Sequence, residues 1–410
     1  MPGPYTSSEF KRADSDVPGP NALHYYWHHP SGLCHMAVWR PSASFEGAPV
    51  AMFIHGGLGF NPGWRAMESV IGSTTGGGKY AALAAEMSSK GWVVISIDYP
   101  TCGRNAYVVD VSGVGESTTP IINPSNKSIV GTWGEIHPIA FWPEQPAYVA
   151  LAIQYVKSNW SGVDNATLFG SDLWGAGNSI NPELIHLIGN SWGGTMALYT
   201  AFQPTGYYPY VTNNAFGEMD PYTPRASHRV KSVSAISPQI DFTQWHFATG
   251  ESLLGENYSY DNLQAFQRKE SRRQWSDLPM AWKRQSPWWV IQEGHPENEN
   301  ISCFIEFFGE GTIAPEENLT YNDWNPGTVR DDEAGGKAWM DPHNGPFQGK
   351  PIRDALKAYG TNESAPIRLS RVSWLGAASS GLGEANLTGT AYTNRMFNWL
   401  RSIGYPEEYV

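Results

Sequence analysis

The feature that most limits how this chain can fold is a serine in a glycine-rich turn between two apolar segments. Leu184 to Ile188 (LIHLI) is a short apolar run of the kind that forms a buried strand. Gly189-Asn190-Ser191-Trp192-Gly193-Gly194 follows, and then Thr195 to Phe202 (TMALYTAF), which reads as a helix. A Gly-X-Ser-X-Gly turn between strand and helix holds the serine in strained φ/ψ and projects its Oγ above the sheet. The glycines let strand and helix approach closely. The helix N-terminus adds a field that favours an oxyanion. The five-residue pattern alone is weak. Its place between LIHLI and TMALYTAF makes Ser191 the candidate nucleophile, against the plainer reading of a serine in an ordinary turn.

The flanking chain alternates strands and helices. Pro49 to Ile54, Trp92 to Ile97, Lys231 to Ile236, Ile301 to Phe308 and Ile367 to Trp374 read as strands. Helices are expected over Lys79 to Lys90, capped by Gly91, over about Pro143 to Trp160, over Pro351 to Tyr359 and over Ala391 to Ile403. The alternation predicts an α/β fold with a mostly parallel central sheet and helices on both faces. Residues 1–44 read as a Pro/Gly-rich arm and a hairpin turning at Pro30-Ser31-Gly32, and 45–405 as the main domain. A loop from Thr101 to about Trp142 is too long to be a mere connection. Residues 204–228 read as irregular and 242–286 as polar and partly helical. A lid insertion is therefore expected over about 204–300, and an irregular insertion over about 309–340.

A second strand end bears on the serine. Met52-Phe53-Ile54-His55-Gly56-Gly57 can turn backbone N–H groups toward a carbonyl oxygen. Gly56, Gly57 and Leu58 are the loop candidates for an oxyanion hole, which the N–H of Trp192 would complete. His55 reads as a structural residue bonding the loop backbone rather than as a base.

Composition narrows the partners. A net charge of −12 argues against nucleic acid. No apolar run is long enough to span a membrane, and the first 20 residues lack the apolar stretch of a secretory signal. The 18 Trp, 20 Tyr and 16 Phe suit a wide apolar cleft, although many of these rings will be packing. Cys34, Cys102 and Cys303 allow one bridge at most, and no zinc spacing or other cofactor motif accompanies them. His24, His28, His29 and His35 lack the carboxylate spacing of a metal site. Eight Asn-X-Ser/Thr sequons, at Asn126, Asn159, Asn165, Asn257, Asn300, Asn318, Asn362 and Asn386, point toward a secreted glycoprotein. The missing signal points toward the cytoplasm, with a secreted protein as the alternative.

Taken in order, His55-Gly56-Gly57, the strand end Ile97-Asp98-Tyr99-Pro100 and Gly189 to Gly194 resemble the esterase/lipase branch of the α/β-hydrolase superfamily, including prolyl-oligopeptidase-like esterases. The resemblance covers about 45–405 and is strongest over 50–200. It implies an α/β-hydrolase fold with a lid and no cofactor. The implied partner is a small apolar ester, a lactone or a polyketide-like molecule. It also implies a catalytic acid and histidine late in the chain. Met340-Asp341-Pro342-His343 and the helix after it resemble the family's acid turn, which makes Asp341 the candidate acid.

The last strand, 368–375, departs from the family. Gly376 to Gly381 holds no histidine, and none follows His343. Without a base, Ser191 would be a poor nucleophile. Three readings compete. His343 takes over as base, paired with Asp241 or Glu310. Alternatively, a histidine has been replaced within 377–380. Or the chain does not hydrolyse, and its pocket serves binding or a condensation, cyclisation or rearrangement such as secondary metabolism uses. His186 reads as buried and satisfied within its strand. His137, His228, His246 and His295 read as loop residues.

Overall fold

The computed structural model describes residues 22–29, 32–56, 81–97, 99, 108–110, 134–136, 145–159, 173–204, 213–214, 217–218, 227–236, 238–240, 284, 286–294, 300–309, 371–376 and 390–410. Twelve strands run through them. These are β1 (Ala22–His29), β2 (Gly32–Trp39), β3 (Ala48–Ile54), β4 (Val93–Ile97), β5 (Val108–Asp110), β6 (Gly134–Ile136), β7 (Ile180–Asn190), β8 (Asn213–Asn214), β9 (Gly217–Glu218), β10 (Ser232–Ile236), β11 (Ser302–Gly309) and β12 (Arg371–Gly376). The helices are α1 (Ala81–Ser89), α2 (Gln145–Ser158), α3 (Trp192–Phe202), α4 (Pro287–Glu293) and α5 (Thr390–Ser402).

Eight strands make one sheet in the order β1-β2-β4-β3-β7-β10-β11-β12. The six from β4 to β12 are parallel, and the β1–β2 hairpin adds antiparallel along β4. Strand alternation splits the core into two layers. Val50, Met52, Ile185 and Leu187 face α2 and α3, while Ala51, Phe53 and Ile188 face α1 and α5. β3, β4 and β10 are buried throughout; β3 and β4 are apolar at nearly every position, as strands covered on both faces tend to be, while β10 buries Ser232 and Ser234 as well.

The chain leaves β3 for β4 on one side, then crosses to β7 on the other. Open parallel sheets place ligands where the strand order reverses, which here is at the C-terminal ends of β3 and β7. Ser191 stands there.

The expected strands and helices hold within a few residues where they are described, with four differences. β7 begins at Ile180, because Ile180 pairs with Ala48 across an irregularity in register. The stretch 101–142 was expected as loop, yet it contains β5 and β6, paired antiparallel. The irregular stretch 204–228 contains the short β8–β9 pair. α4 was not anticipated: Pro287 opens it and Gly294, at φ 66, closes it in the left-handed conformation. The turn Pro30-Ser31, the helix expected over 351–359, the insertion after Gly309 and most of the lid region lie outside the described residues.

Cys34 and Cys303 are buried and unbridged, and Cys102 lies outside the described residues. Among the sequons, Asn159 and Asn300 are described. Asn159 is buried; its Nδ2 donates to Tyr155 O at 2.7 Å and its backbone carbonyl accepts from Trp174 Nε1 at 2.6 Å. A glycan does not fit there in the folded chain. Asn300 is exposed. No described helix is long and apolar enough to cross a membrane.

Candidate active site

Ser191 has φ 50 and ψ −122, and among the described residues it alone has positive φ without being glycine. An L-residue holds that conformation only when its surroundings force it. Three forces are visible. Ser191 N–H donates to Ile236 O, the end of β10, at 2.8 Å. Ser191 O accepts from Thr195 N at 3.1 Å, the first full turn of α3. The glycines then let α3 lie directly over the strand ends. A Cβ on Gly193 would fall on the Ile54 carbonyl oxygen and within 2.6 Å of the His55 oxygen, and one on Gly189 would fall on the Gly193 carbonyl.

The β3 loop is tied to this turn. A Cβ on Gly56 would sit 2.7 Å from Asn190 O and 3.3 Å from Ser191 Cβ. The His55 ring stacks on Tyr99 with centroids 4.1 Å apart and planes 11° from parallel. Tyr99 Oη donates to His55 O at 2.7 Å, and His55 Nδ1 donates to Gly56 O at 3.0 Å. The imidazole thus shapes the loop, as its sequence position suggested. Trp192, which opens α3, is buried and donates from Nε1 to Gln145 Oε1 at 3.0 Å. The first turn of a helix directs its N–H groups outward from its N-terminus. Ser191, Gly56 and Trp192 therefore converge.

Gly57, Asp341, His343, Asp241 and Glu310 lie outside the described residues, as do His137, His246, His295 and 377–380. The side chains of His24, His28, His29 and His35 are likewise not described. Two other histidines are placed, both away from Ser191. His228 Nε2 bonds Gln203 O beyond the C-terminal end of α3, roughly 16 Å along the helix from its start. His186 lies five residues back along β7, about 16 Å from Ser191 at strand rise. It packs among Trp92, Trp399 and Tyr405, with Nδ1 bonded to Ser232 Oγ at 2.8 Å. Burial pushes its pKa down to about 3, so it is neutral. The expectation that it is satisfied is half right, since Nε2 is buried with no hydrogen-bond partner among the described residues. No cluster of metal-ligating side chains occurs among the described residues.

Sequence reading missed Gln239. It is fully buried just after β10, and its Nε2 donates to Ser191 Oγ at 3.2 Å. The only hint was a polar residue in Ser-Pro-Gln-Ile-Asp after an apolar strand.

No protein-family model matches the chain, and no curated protein sequence matches it. Solved structures do. Esterase 2 of Thermogutta terrifontis, phosphonylated by sarin, is similar with a TM-score of 0.50 at 13% identity, over 97% of this chain and 99% of that one. A truncated carbohydrate esterase from gut microbiota is similar at 0.49 and 14% identity, over 98% and 99%. The first likeness shows a shared α/β fold.

Proposed function

We propose that this chain is a serine-dependent carboxylic ester or lactone hydrolase acting on a small apolar substrate. The observation that carries the reading is the strained Ser191 at the junction of β7 and α3. Ser191 would attack the carbonyl carbon. The N–H groups of Trp192 and Gly57, beside Gly56, would hold the developing oxyanion at the positive end of α3. His343 is proposed as the base, oriented by Asp341, with Asp241 and Glu310 as alternative acids. The esterase of similar fold that carries a phosphonyl group suggests the same chemistry and the esterase branch of the superfamily.

A fluorophosphonate probe tests the reading. Labelling should map to the Ser191 peptide, disappear in Ser191→Ala and fall sharply in His343→Asn, with parallel loss of short aryl-ester hydrolysis. A folded chain that neither labels nor turns over an aryl ester would instead be a non-hydrolytic member of the fold.

A further inference from the structure

Ser191 Oγ is held before any substrate arrives. Among the described residues its one hydrogen-bond partner is Gln239 Nε2. Gln239 is itself fixed through Thr195. Its backbone N–H donates to Thr195 Oγ1 at 2.9 Å, and the one proton of the Thr195 hydroxyl is offered to Gln239 Oε1 at 2.9 Å, with Gln239 O at 3.0 Å and Ser191 O at 3.3 Å also in reach. Thr195 in turn donates its backbone N–H to Ser191 O. The three residues close a ring in which Thr195 and Gln239 are buried and Ser191 is half-buried. The Thr195 hydroxyl on Oε1 leaves the amide nitrogen facing Ser191.

A donor on Oγ has a definite chemical sense, because it stabilises negative charge on that oxygen. Resting on the hydrolase reading, the reaction has two halves. In the first, Oγ bonds the acyl carbon, its proton passes to the base and on to the departing alkoxide, and the carbon–alkoxide bond breaks. Here Oγ begins as a hydroxyl, which already accepts the Gln239 bond well. In the second, water adds to the acyl carbon and gives a proton to the base. The Oγ–carbon bond then breaks, its electron pair goes to Oγ, and the base returns the proton to Oγ. Here Oγ begins as an ester oxygen, a weak acceptor, and gains charge as it leaves. A bond that strengthens only toward the transition state raises the rate, whereas one equally strong in both states does not. We propose that Gln239, locked by Thr195, is a catalytic residue of the second half-reaction, supporting Oγ as the acyl-enzyme breaks down.

The test separates the halves. Gln239→Met keeps the length and removes the donor. With a short aryl ester, its kcat should fall about tenfold, the difference between a charge-assisted and a neutral hydrogen bond. KM should fall with it, leaving kcat/KM within about twofold and a full burst of aryl alcohol, as expected when acyl-enzyme accumulates. Fluorophosphonate labelling, which reports the first half alone, should keep its rate within about twofold. Thr195→Val should move kcat and KM in the same direction, and Thr195→Ser should recover most of that loss. A merely structural role would slow labelling and lower kcat/KM in all three. That result, or an unchanged kcat in Gln239→Met, overturns the proposal while the hydrolase reading stands. A wild-type chain inert to ester and probe ends both. If Gln239→Met does not fold, the Thr195 pair decides on the same criteria.

Discussion

Replacing Ser191 by glycine should make the protein more stable than replacing it by alanine. In an ordinary position the order is reversed, because glycine loses more backbone freedom on folding, about 0.5–1 kcal/mol relative to alanine. Here φ is 50 and ψ −122, a region glycine enters freely and alanine does not. The strain of a non-glycine residue in such a region is about 1–3 kcal/mol. Both variants lose the hydroxyl and its Gln239 bond, and both keep the backbone bonds to Ile236 and Thr195. Those terms cancel in the comparison. The net preference for glycine is then about 0.5–2 kcal/mol. For 410 residues, an unfolding entropy of about 2.1 cal/mol/K per residue makes 1 kcal/mol equal to about 1 °C in Tm. Scanning calorimetry of the two variants side by side should put Ser191→Gly higher by about 1–2 °C. If Ser191→Ala melts at the same temperature or higher, the turn holds no strain and the reasoning fails.

Other perturbations probe the same framework. Gly193→Ala must push the Ile54–His55 backbone back by about an ångström to clear its carbonyl oxygens, so fluorophosphonate labelling should slow about tenfold to a hundredfold; unchanged labelling would remove the loop from the site. His186 binds its proton in the unfolded chain near pH 6.5 but in the folded chain only near 3. The stability tied to its neutral form is present above pH 6.5 and is lost as pH falls toward 3, at about 1.4 kcal/mol per pH unit. Denaturant unfolding of His186→Asn between pH 4 and about 6.5 should be flatter by about that slope. Arg395 meets the fully buried Glu306 through two bonds of 3.0 Å, joining α5 to β11. Arg395→Met should cost about 3–5 kcal/mol by stranding the carboxylate, and adding Glu306→Leu should recover most of it in urea melts.

The legible parts of this molecule were those written locally. The Ser191 turn could be found because strand, glycines and helix are contiguous in sequence, and β3 and β4 because both faces of a central strand are apolar. β5 and β6 were not legible. They are three residues each, 24 positions apart, and neither carries a periodic signal. The start of β7 was obscured by Asn181-Pro182-Glu183, residue types that favour turns, yet here they sit on a strand paired through Ile180. Gln239 escaped for a related reason. Its partner is 48 residues away, and nothing in Ser-Pro-Gln announces a bond to a serine hydroxyl. His186 drew the reading of a satisfied core histidine from its strand position, but position says nothing about which ring nitrogen finds a partner.

The bonds that hold Ser191 also set when its conformation can exist. The turn is pinned by Ile236, 45 residues downstream, and its hydroxyl by Gln239 after that. A nascent chain that has emerged only through α3 has every residue of the motif and none of the strain. The serine becomes poised when β10 joins the sheet beside β7. The contacts that fix the serine are thus complete only once the central strands are together, and a fragment ending before β10 would carry the sequence of the turn without its geometry.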